Sequence, residues 1–154
     1  MAGAKAPERG ATLLMVAFVS IFLLIPIIGT CVDGAIVYWA QRRLSVAVDA
    51  AALAAARALS VEQSDSAQLR NAQATGRNYF RANFPPGVMN TTVVGGVPSS
   101  AISESVTHQK IVTVSASITV PLYFMPVLGF KNQIISATGR ATTRDSNMML
   151  ASEP

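Results

Sequence analysis

An apolar run of 22 residues without a charged side chain, from Ala11 to Val32, constrains this chain more than any other feature. As an α-helix the run would measure about 33 Å at roughly 1.5 Å per residue, which matches a bilayer hydrocarbon core of about 30 Å. Pro26 lies inside it, and proline is tolerated in helices that cross membranes. The run therefore predicts one transmembrane helix over residues 11–32, preceded by a short polar segment, residues 1–10.

The composition agrees with a membrane-anchored protein. Only 13% of residues are charged, 51% are hydrophobic, and the mean hydropathy is +0.40, which is apolar for a soluble domain of this size. The net charge of +4 comes from scattered basic residues without the basic and aromatic patches of nucleic-acid binding proteins. Nucleic acid is therefore not an expected partner.

Chemistry-bearing motifs are scarce. One cysteine, Cys31, and one histidine, His108, give neither an intramolecular disulfide nor a metal-ligand cluster. The sequence contains neither a G-x-S-x-G elbow nor a G-x-x-x-x-G-K-[ST] phosphate loop. We therefore expect no enzyme, no cofactor and no small-molecule substrate.

The helix is predicted to continue beyond the apolar run. Residues 33–59 contain no proline and are rich in alanine and other strong helix formers. One apolar stripe recurs at helical spacing and consists of Leu44, Val48, Ala52, Ala55 and Leu59. Tyr38 and Trp39 follow the run at a distance where aromatic side chains often anchor a helix at the headgroups.

A second helix is predicted from Ser66 to Asn83, after a break over residues 60–66 and before Pro85 and Pro86. The residues expected to face the core are Leu69, Ala72, Gly76, Tyr79 and Phe80. The arginines at 70, 77 and 81 would form a basic stripe on the same helix.

The remaining sequence favours β-strands. Strands are predicted at 88–94, at 97–106 and, with clear alternation of apolar and polar residues, at 110–120. Residues 121–130 resemble a turn that plugs the core, a last strand follows over 132–144, and 145–154 form a loose tail. The predicted fold class is α+β: a long N-terminal helix, a second helix and a three- to four-stranded antiparallel sheet, with residues 60–144 as a small domain.

Several ordered motifs resemble the TadE/TadG-like proteins of bacterial Tad (Flp) pilus assembly. At the N-terminus they are E-R-G-A at 8–11, V-D-G-A at 32–35, R-R-L at 42–44 and V-D-A-A-A-L-A-A-A-R-A-L at 48–59. A softer similarity continues at Tyr79–Pro85, at 120–130 and at 135–141. The resemblance implies a pilin-like fold and a role as a minor pilin or assembly factor that contacts other pilus-assembly subunits and the lipid bilayer.

The resemblance also raises the question of processing. Pilin-like members of such systems are cut after a glycine and carry glutamate at the fifth position of the mature chain. Gly10 is the candidate cleavage site here, and the fifth residue after it is Met15. No carboxylate lies between Gly10 and Asp33, which favours an uncleaved signal anchor.

Six residues are candidate partner contacts, and they lie at the end of the apolar run or in the alanine-rich segment: Asp33, Arg42, Arg43, Asp49, Ala52 and Ala55. Asp33 is either a solvated boundary residue or pairs with Arg42 or Arg43 of a neighbouring chain. Asp49 is a lone carboxylate among alanines, which is costly to bury without a partner. Small side chains such as those of Ala52 and Ala55 allow close helix packing.

The direction of insertion and the mode of anchoring depend on weaker signals. Lys5 and Arg9 favour a cytoplasmic N-terminus, whereas Arg42 and Arg43 on the other side nearly cancel the charge difference. The expected location is the bacterial inner membrane, with a single pass and a periplasmic C-terminal domain. The alternative is a periplasmic binding module unrelated to pili, anchored by the membrane helix or by a lipid on Cys31.

Overall fold

The computed structural model describes residues 7–59, 66–104 and 110–143. The predictions for residues 1–6, for the break at 60–65 and for the tail at 145–154 lie outside these ranges, as does His108. The described chain divides into two compact units. One unit combines the helix up to Ile36 with the loop Leu122–Lys131, and the other contains the remaining helix and the sheet.

The first helix, α1, extends over Pro7–Arg57 and contains Pro26 without interruption. Its end lies within two residues of the predicted end. The apolar stripe predicted for its second half is buried throughout, because Leu44, Val48 and Ala52 are 0% exposed, Ala55 is 1% and Leu59, just beyond the helix, is 4%. The helical periodicity therefore identified the face of α1 that packs against the rest of the second unit.

The second helix, α2, extends over Ser66–Asn83, with the predicted bounds. Ala72, Gly76 and Phe80 are buried as expected. Leu69 and Tyr79 are 37% and 53% exposed, so their assignment to the core was wrong. The buried residues are spaced four apart, so only one narrow stripe of this helix contacts the rest of the unit. The three arginines lie on its exposed side.

The sheet is antiparallel and has four strands: β1 (Thr92–Val93), β2 (Ser99–Glu104), β3 (Lys110–Pro121) and β4 (Asn132–Thr142). β4 pairs with one edge of β3 along its whole length. β1 and β2 pair with successive parts of the other edge. β3 is therefore the central strand, with β4 on one side and β1 and β2 in line on the other. The α+β fold class is confirmed.

The first predicted strand, residues 88–94, forms only at its end. Val88–Asn90 is a short 3₁₀ turn, in which Met89 and Asn90 have φ angles of 51° and 58°. A left-handed backbone cannot continue a strand. The extended backbone therefore starts only at β1.

The alternation predicted for β3 is confirmed. Its apolar residues, Val112, Val114, Ala116, Ile118 and Val120, are all buried. The opposite face carries hydroxyls that bond across to β4, with Ser115 Oγ at 3.0 Å from Thr138 Oγ1 and Ser117 Oγ at 2.8 Å from Ser136 Oγ. One face of the sheet is therefore apolar and covered, and the other is polar.

Small residues bring the helices and the sheet into close contact in the second unit. A Cβ on Gly139 of β4 would lie 2.5 Å from the carbonyl oxygen of Val48 in α1. A Cβ on Gly76 of α2 would lie 3.2 Å from the Cβ of Ala55. The alanine-rich half of α1 thus packs against both α2 and β4.

The loop that joins β3 to β4, Leu122–Lys131, does not plug the core as predicted. It contains a short 3₁₀ helix, Met125–Leu128, and most of its large apolar side chains are exposed. The loop belongs to the same unit as the N-terminal part of α1. The prediction of a core plug was wrong because an apolar composition does not show whether the side chains are covered by the rest of the chain.

Candidate functional site: the apolar helix and its docked loop

The N-terminal part of α1 has the length and composition of a membrane-crossing helix. The helix from Gly10 onward contains an 18-residue window with mean hydropathy 2.8 and no buried residue. Its large side chains are well exposed, for example Leu14 at 75% and Phe22 at 76%. Exposed apolar area of this extent is rare on soluble monomers, so the segment is a candidate membrane anchor.

Asp33 lies one residue beyond the predicted membrane run and holds the loop. Its carboxylate accepts three backbone hydrogen bonds: Tyr123 N donates to Oδ1 at 2.9 Å, and Phe124 N and Met125 N donate to Oδ2 at 2.9 and 2.7 Å. The residue is only 2% exposed. A carboxylate is well suited to this position because it is an acceptor at both oxygens and bonds more strongly than a neutral group.

The electrostatics of Asp33 follow from these contacts. Desolvation by burial raises the pKa of its carboxyl, and the backbone N–H groups of Met125, Tyr123 and Phe124 lower it. The net result is a pKa below the ordinary value of 3.8, so the carboxylate stays ionised at neutral pH. Asp33 is therefore buried and is not a solvated boundary residue, while its pairing with an arginine of a neighbouring chain stays a prediction.

One turn earlier, Gly29 provides the space for the loop. A Cβ at this position would lie 2.5 Å from the Cβ and 2.9 Å from the Cγ of Phe124, closer than real Cβ contacts. At Gly34, only five residues further on, a Cβ would meet nothing within 4 Å. Thr30 Oγ1 lies 3.7 Å from the sulfur of Met125 and bonds the carbonyl of Pro26 at 2.8 Å.

A small apolar cleft of about 50 Å³ remains between the helix and the loop. Its lining residues are Ile25, Pro26, Thr30, Phe124, Met125, Val127 and Leu128. The cleft shows that the loop runs back along α1 for about two turns from Asp33 toward the N-terminus.

Sequence reasoning identified both halves of this site without joining them. Asp33 was singled out as the carboxylate that ends the apolar run, and residues 121–130 as an apolar cluster. The hydrogen bonds between them join residues 90 to 92 positions apart. Almost every residue has a backbone N–H group, so the sequence does not show which of these groups will bind Asp33. The one available signal was Gly29, because a glycine in an apolar helix can indicate that another segment approaches closely.

Arg42 and Arg43 contact aromatic side chains of α1. The guanidinium of Arg42 lies 5.8 Å from the ring centre of Tyr38, and that of Arg43 lies 5.1 Å from the ring centre of Trp39. These are cation–π distances. Arg43 Nε also lies 3.5 Å from the carbonyl oxygen of Asn83 at the end of α2, where a cation is favoured.

The remaining candidate contacts divide between the two sides of α1. Ala52 and Ala55 are buried by the chain's own fold, so their small side chains serve internal packing, and a partner contact at these two positions stays a prediction. Asp49 lies on the exposed side, which removes the cost of burying it. The exposed residues there recur at spacings of three and four and are Arg42, Val46, Asp49, Leu53 and Arg57; we call this set the outer stripe.

The second unit also has a groove of about 330 Å³ at the end of α2. Phe80, Arg81, Phe84 and Asn90 contribute to its lining. Phe80 and Phe84 stack at 5.9 Å and are almost fully buried, so they act mainly in the core. Within the described ranges, no three His, Cys, Asp or Glu residues lie close enough to hold a metal ion.

The N-terminal helix is similar to one known protein family. A model for the Tad family, described as Flp pilus-assembly TadE/G-like, matches residues 10–58. No significant match to the chain was found among curated proteins or among solved structures. The softer similarity over residues 79–141 lies outside the matched range and stays a prediction. Residues 10–58, which comprise nearly all of α1, are thus similar to the TadE/G-like proteins of Flp pilus assembly.

Proposed function

We propose that this protein is a membrane-anchored, pilin-like component of a Tad (Flp) pilus-assembly system, acting as a minor pilin or assembly factor by protein–protein contact. The observation that carries the proposal is the family match over α1. The two parts of that helix differ in burial. The N-terminal part exposes its apolar side chains, and the C-terminal part is packed into the α+β unit.

The proposed arrangement has the N-terminus in the cytoplasm and the sheet in the periplasm, with α1 crossing the inner membrane over residues 11–32. The exposed Tyr38 and Trp39, each with an arginine on its ring, support a headgroup-level position for the turn that follows the membrane segment. Met15 at the fifth position after Gly10 supports an uncleaved anchor.

The outer stripe is the proposed contact with other subunits. Val46 and Leu53 are 62% and 47% exposed on a helix whose opposite side is fully packed. Asp49 between them, with Arg42 and Arg57 on either side, supplies charges of both signs. Apolar anchors with charged neighbours are the usual composition of a specific interface, in which apolar groups supply affinity and charges fix orientation.

The test is site-specific photocrosslinking in cells that assemble Tad pili. A benzophenone amino acid replaces Leu53 in the outer stripe or, as the matched control, Ala74 on the exposed side of α2. We expect Leu53 to give adducts with other pilus-assembly proteins and Ala74 to give none. Both positions are exposed, so neither substitution disturbs the core.

Other results would contradict parts of the proposal. Equal adducts at both positions, or none at Leu53, would exclude the outer stripe as the contact surface. Normal numbers of pili in cells that lack the protein would exclude the role in assembly itself.

A further inference from the structure

We propose that the loop Leu122–Lys131 is a second membrane-inserted element, which enters the lipid on the side where α1 leaves it. The occupant of its exposed apolar surface is the acyl region of the bilayer. This inference rests on the proposed anchoring of α1 and goes beyond it, because it places part of the β3–β4 connection, far from the anchor in sequence, in the membrane.

The first argument is the chemistry of the exposed surface. Val127 is 88% exposed, and Tyr123, Phe124, Leu128 and Phe130 are between 45% and 59% exposed. No charged residue occurs from Leu122 to Phe130. In water this would be a large unfavourable apolar patch, whereas in lipid its exposure costs nothing.

The second argument is depth along the helix. The loop contacts α1 at Gly29 and Thr30 and reaches Ile25 and Pro26. Val32 ends the apolar run, so Ile25 lies roughly 10 Å inside it at 1.5 Å per residue. A loop beside Ile25 therefore lies within the same layer as the last two turns of the run. Insertion by 5–10 Å is typical of interfacial membrane elements.

The third argument is that backbone N–H groups of the loop have hydrogen-bond partners within the protein. Backbone N–H groups exposed to lipid need internal partners, and this loop supplies them. Asp33 takes the donors of Tyr123, Phe124 and Met125. The turn itself bonds the donors of Val127, Gly129 and Phe130 to the carbonyls of Phe124, Pro126 and Met125. Residue 126 is proline and has no donor to satisfy.

This arrangement explains why an aspartate occupies position 33. In an aqueous loop, water molecules could accept hydrogen bonds from the same three N–H groups, but a loop that enters lipid loses that hydration. The buried carboxylate replaces it, and the loop is thereby fixed to the helix that carries the anchor. The continuity of the apolar surface from helix to loop favours lipid over a second protein as its occupant.

The test uses tryptophan fluorescence of the full chain in bilayers that contain phospholipids brominated at defined acyl positions. Trp39→Phe removes the native tryptophan, and Val127→Trp places a reporter on the loop. We expect bromine near the glycerol end of the acyl chain to remove roughly half or more of the emission of this variant, as for an interfacial element. Aqueous iodide should have little effect on it.

Two further variants make the result decisive. Phe22→Trp reports on the anchor helix, and Ala74→Trp on α2 is the control that should respond to iodide alone. Quenching at position 22 with iodide quenching at position 127 would overturn the loop inference and leave the anchor intact. Protection of position 127 from both quenchers would also overturn it, in favour of a protein partner. Absence of bromine quenching at position 22 would overturn the proposed anchoring as well.

Discussion

Asp33 shows how far the role of one residue depends on its partners. In sequence it is the first charge after the apolar run, and either a solvated end or an ion pair is a reasonable expectation. In the structure it is 2% exposed and accepts three backbone hydrogen bonds from one loop. Hydrogen bonds to a charged group contribute more than neutral ones, and loss of the carboxylate would remove the acceptor of three part-buried N–H donors at once.

The lowered pKa of Asp33 predicts how loop docking depends on pH. The charged carboxylate is the form that the N–H groups bind, so docking is fully present above the ordinary pKa of 3.8 and is lost as the pH falls through the lower pKa of the docked state. The measurement is the amide NMR shifts of Tyr123, Phe124 and Met125 in micelles during acid titration. No change of these shifts on acidification below 3.8 would contradict the prediction.

A matched pair of variants separates this effect from general acid unfolding. Asp33→Asn keeps the shape but removes the charge and one acceptor oxygen, so we expect the loop amides to shift at neutral pH and to lose the acid transition. Asp49→Asn removes a carboxylate from the exposed side of α1 and should leave both unchanged.

At the scale of elements, the alanine-rich half of α1 allows two other elements to approach its backbone. Ala51 and Ala55 face Gly76 of α2, and Val48 faces Gly139 of β4. Alanine combines high helix propensity with the smallest side chain that carries a Cβ. The composition of residues 48–58 is therefore explained by packing within the chain, while the outer stripe on the other side is free to contact partners.

The two glycines predict a graded effect on stability. Gly139→Ala places a Cβ 2.5 Å from the Val48 carbonyl oxygen, a backbone atom that cannot rotate away, and should lower the free energy of unfolding by about 1–3 kcal/mol. Gly76→Ala meets Ala55 at 3.2 Å, and a gain in helix propensity of about 1 kcal/mol offsets the crowding. Thermal unfolding in one detergent compares them, and equal midpoints would contradict the packing at Gly139.

At the scale of the whole molecule, processing decides what the mature chain contains. Position five after Gly10 is Met15, so the carboxylate expected of a cleaved pilin is absent. We expect intact-mass measurement of the membrane-extracted protein to give a chain that retains residues 1–10. Met15→Glu is the variant that restores the missing carboxylate.

The same measurement distinguishes the alternatives. Loss of residues 1–10 from the native chain would show that it is processed as a true pilin despite Met15. Loss of residues 1–30 with an added diacylglyceryl mass would show lipidation at Cys31 and favour the anchored binding module.

The sequence by itself determined the elements whose signals are local. The uncharged run, the spacing of Leu44 to Leu59 and the alternation along β3 each follow from the period of one helix or strand, which side-chain order records directly. The same holds for the bounds of α2, where Pro85 and Pro86 prevent continuation. The family resemblance also lay in this local N-terminal segment, and the match covers residues 10–58.

Only the tertiary structure decided which of the available faces meet. Leu69 and Tyr79 are apolar yet exposed, Ala52 and Ala55 are small yet internal, and the loop after β3 docks on α1 instead of filling the core. These outcomes depend on contacts between residues far apart in sequence, and on backbone donors common to nearly every residue. The periodicity of one helix or strand does not show which faces will meet. That depends on how closely two distant segments can pack at positions such as Gly29 and Gly139.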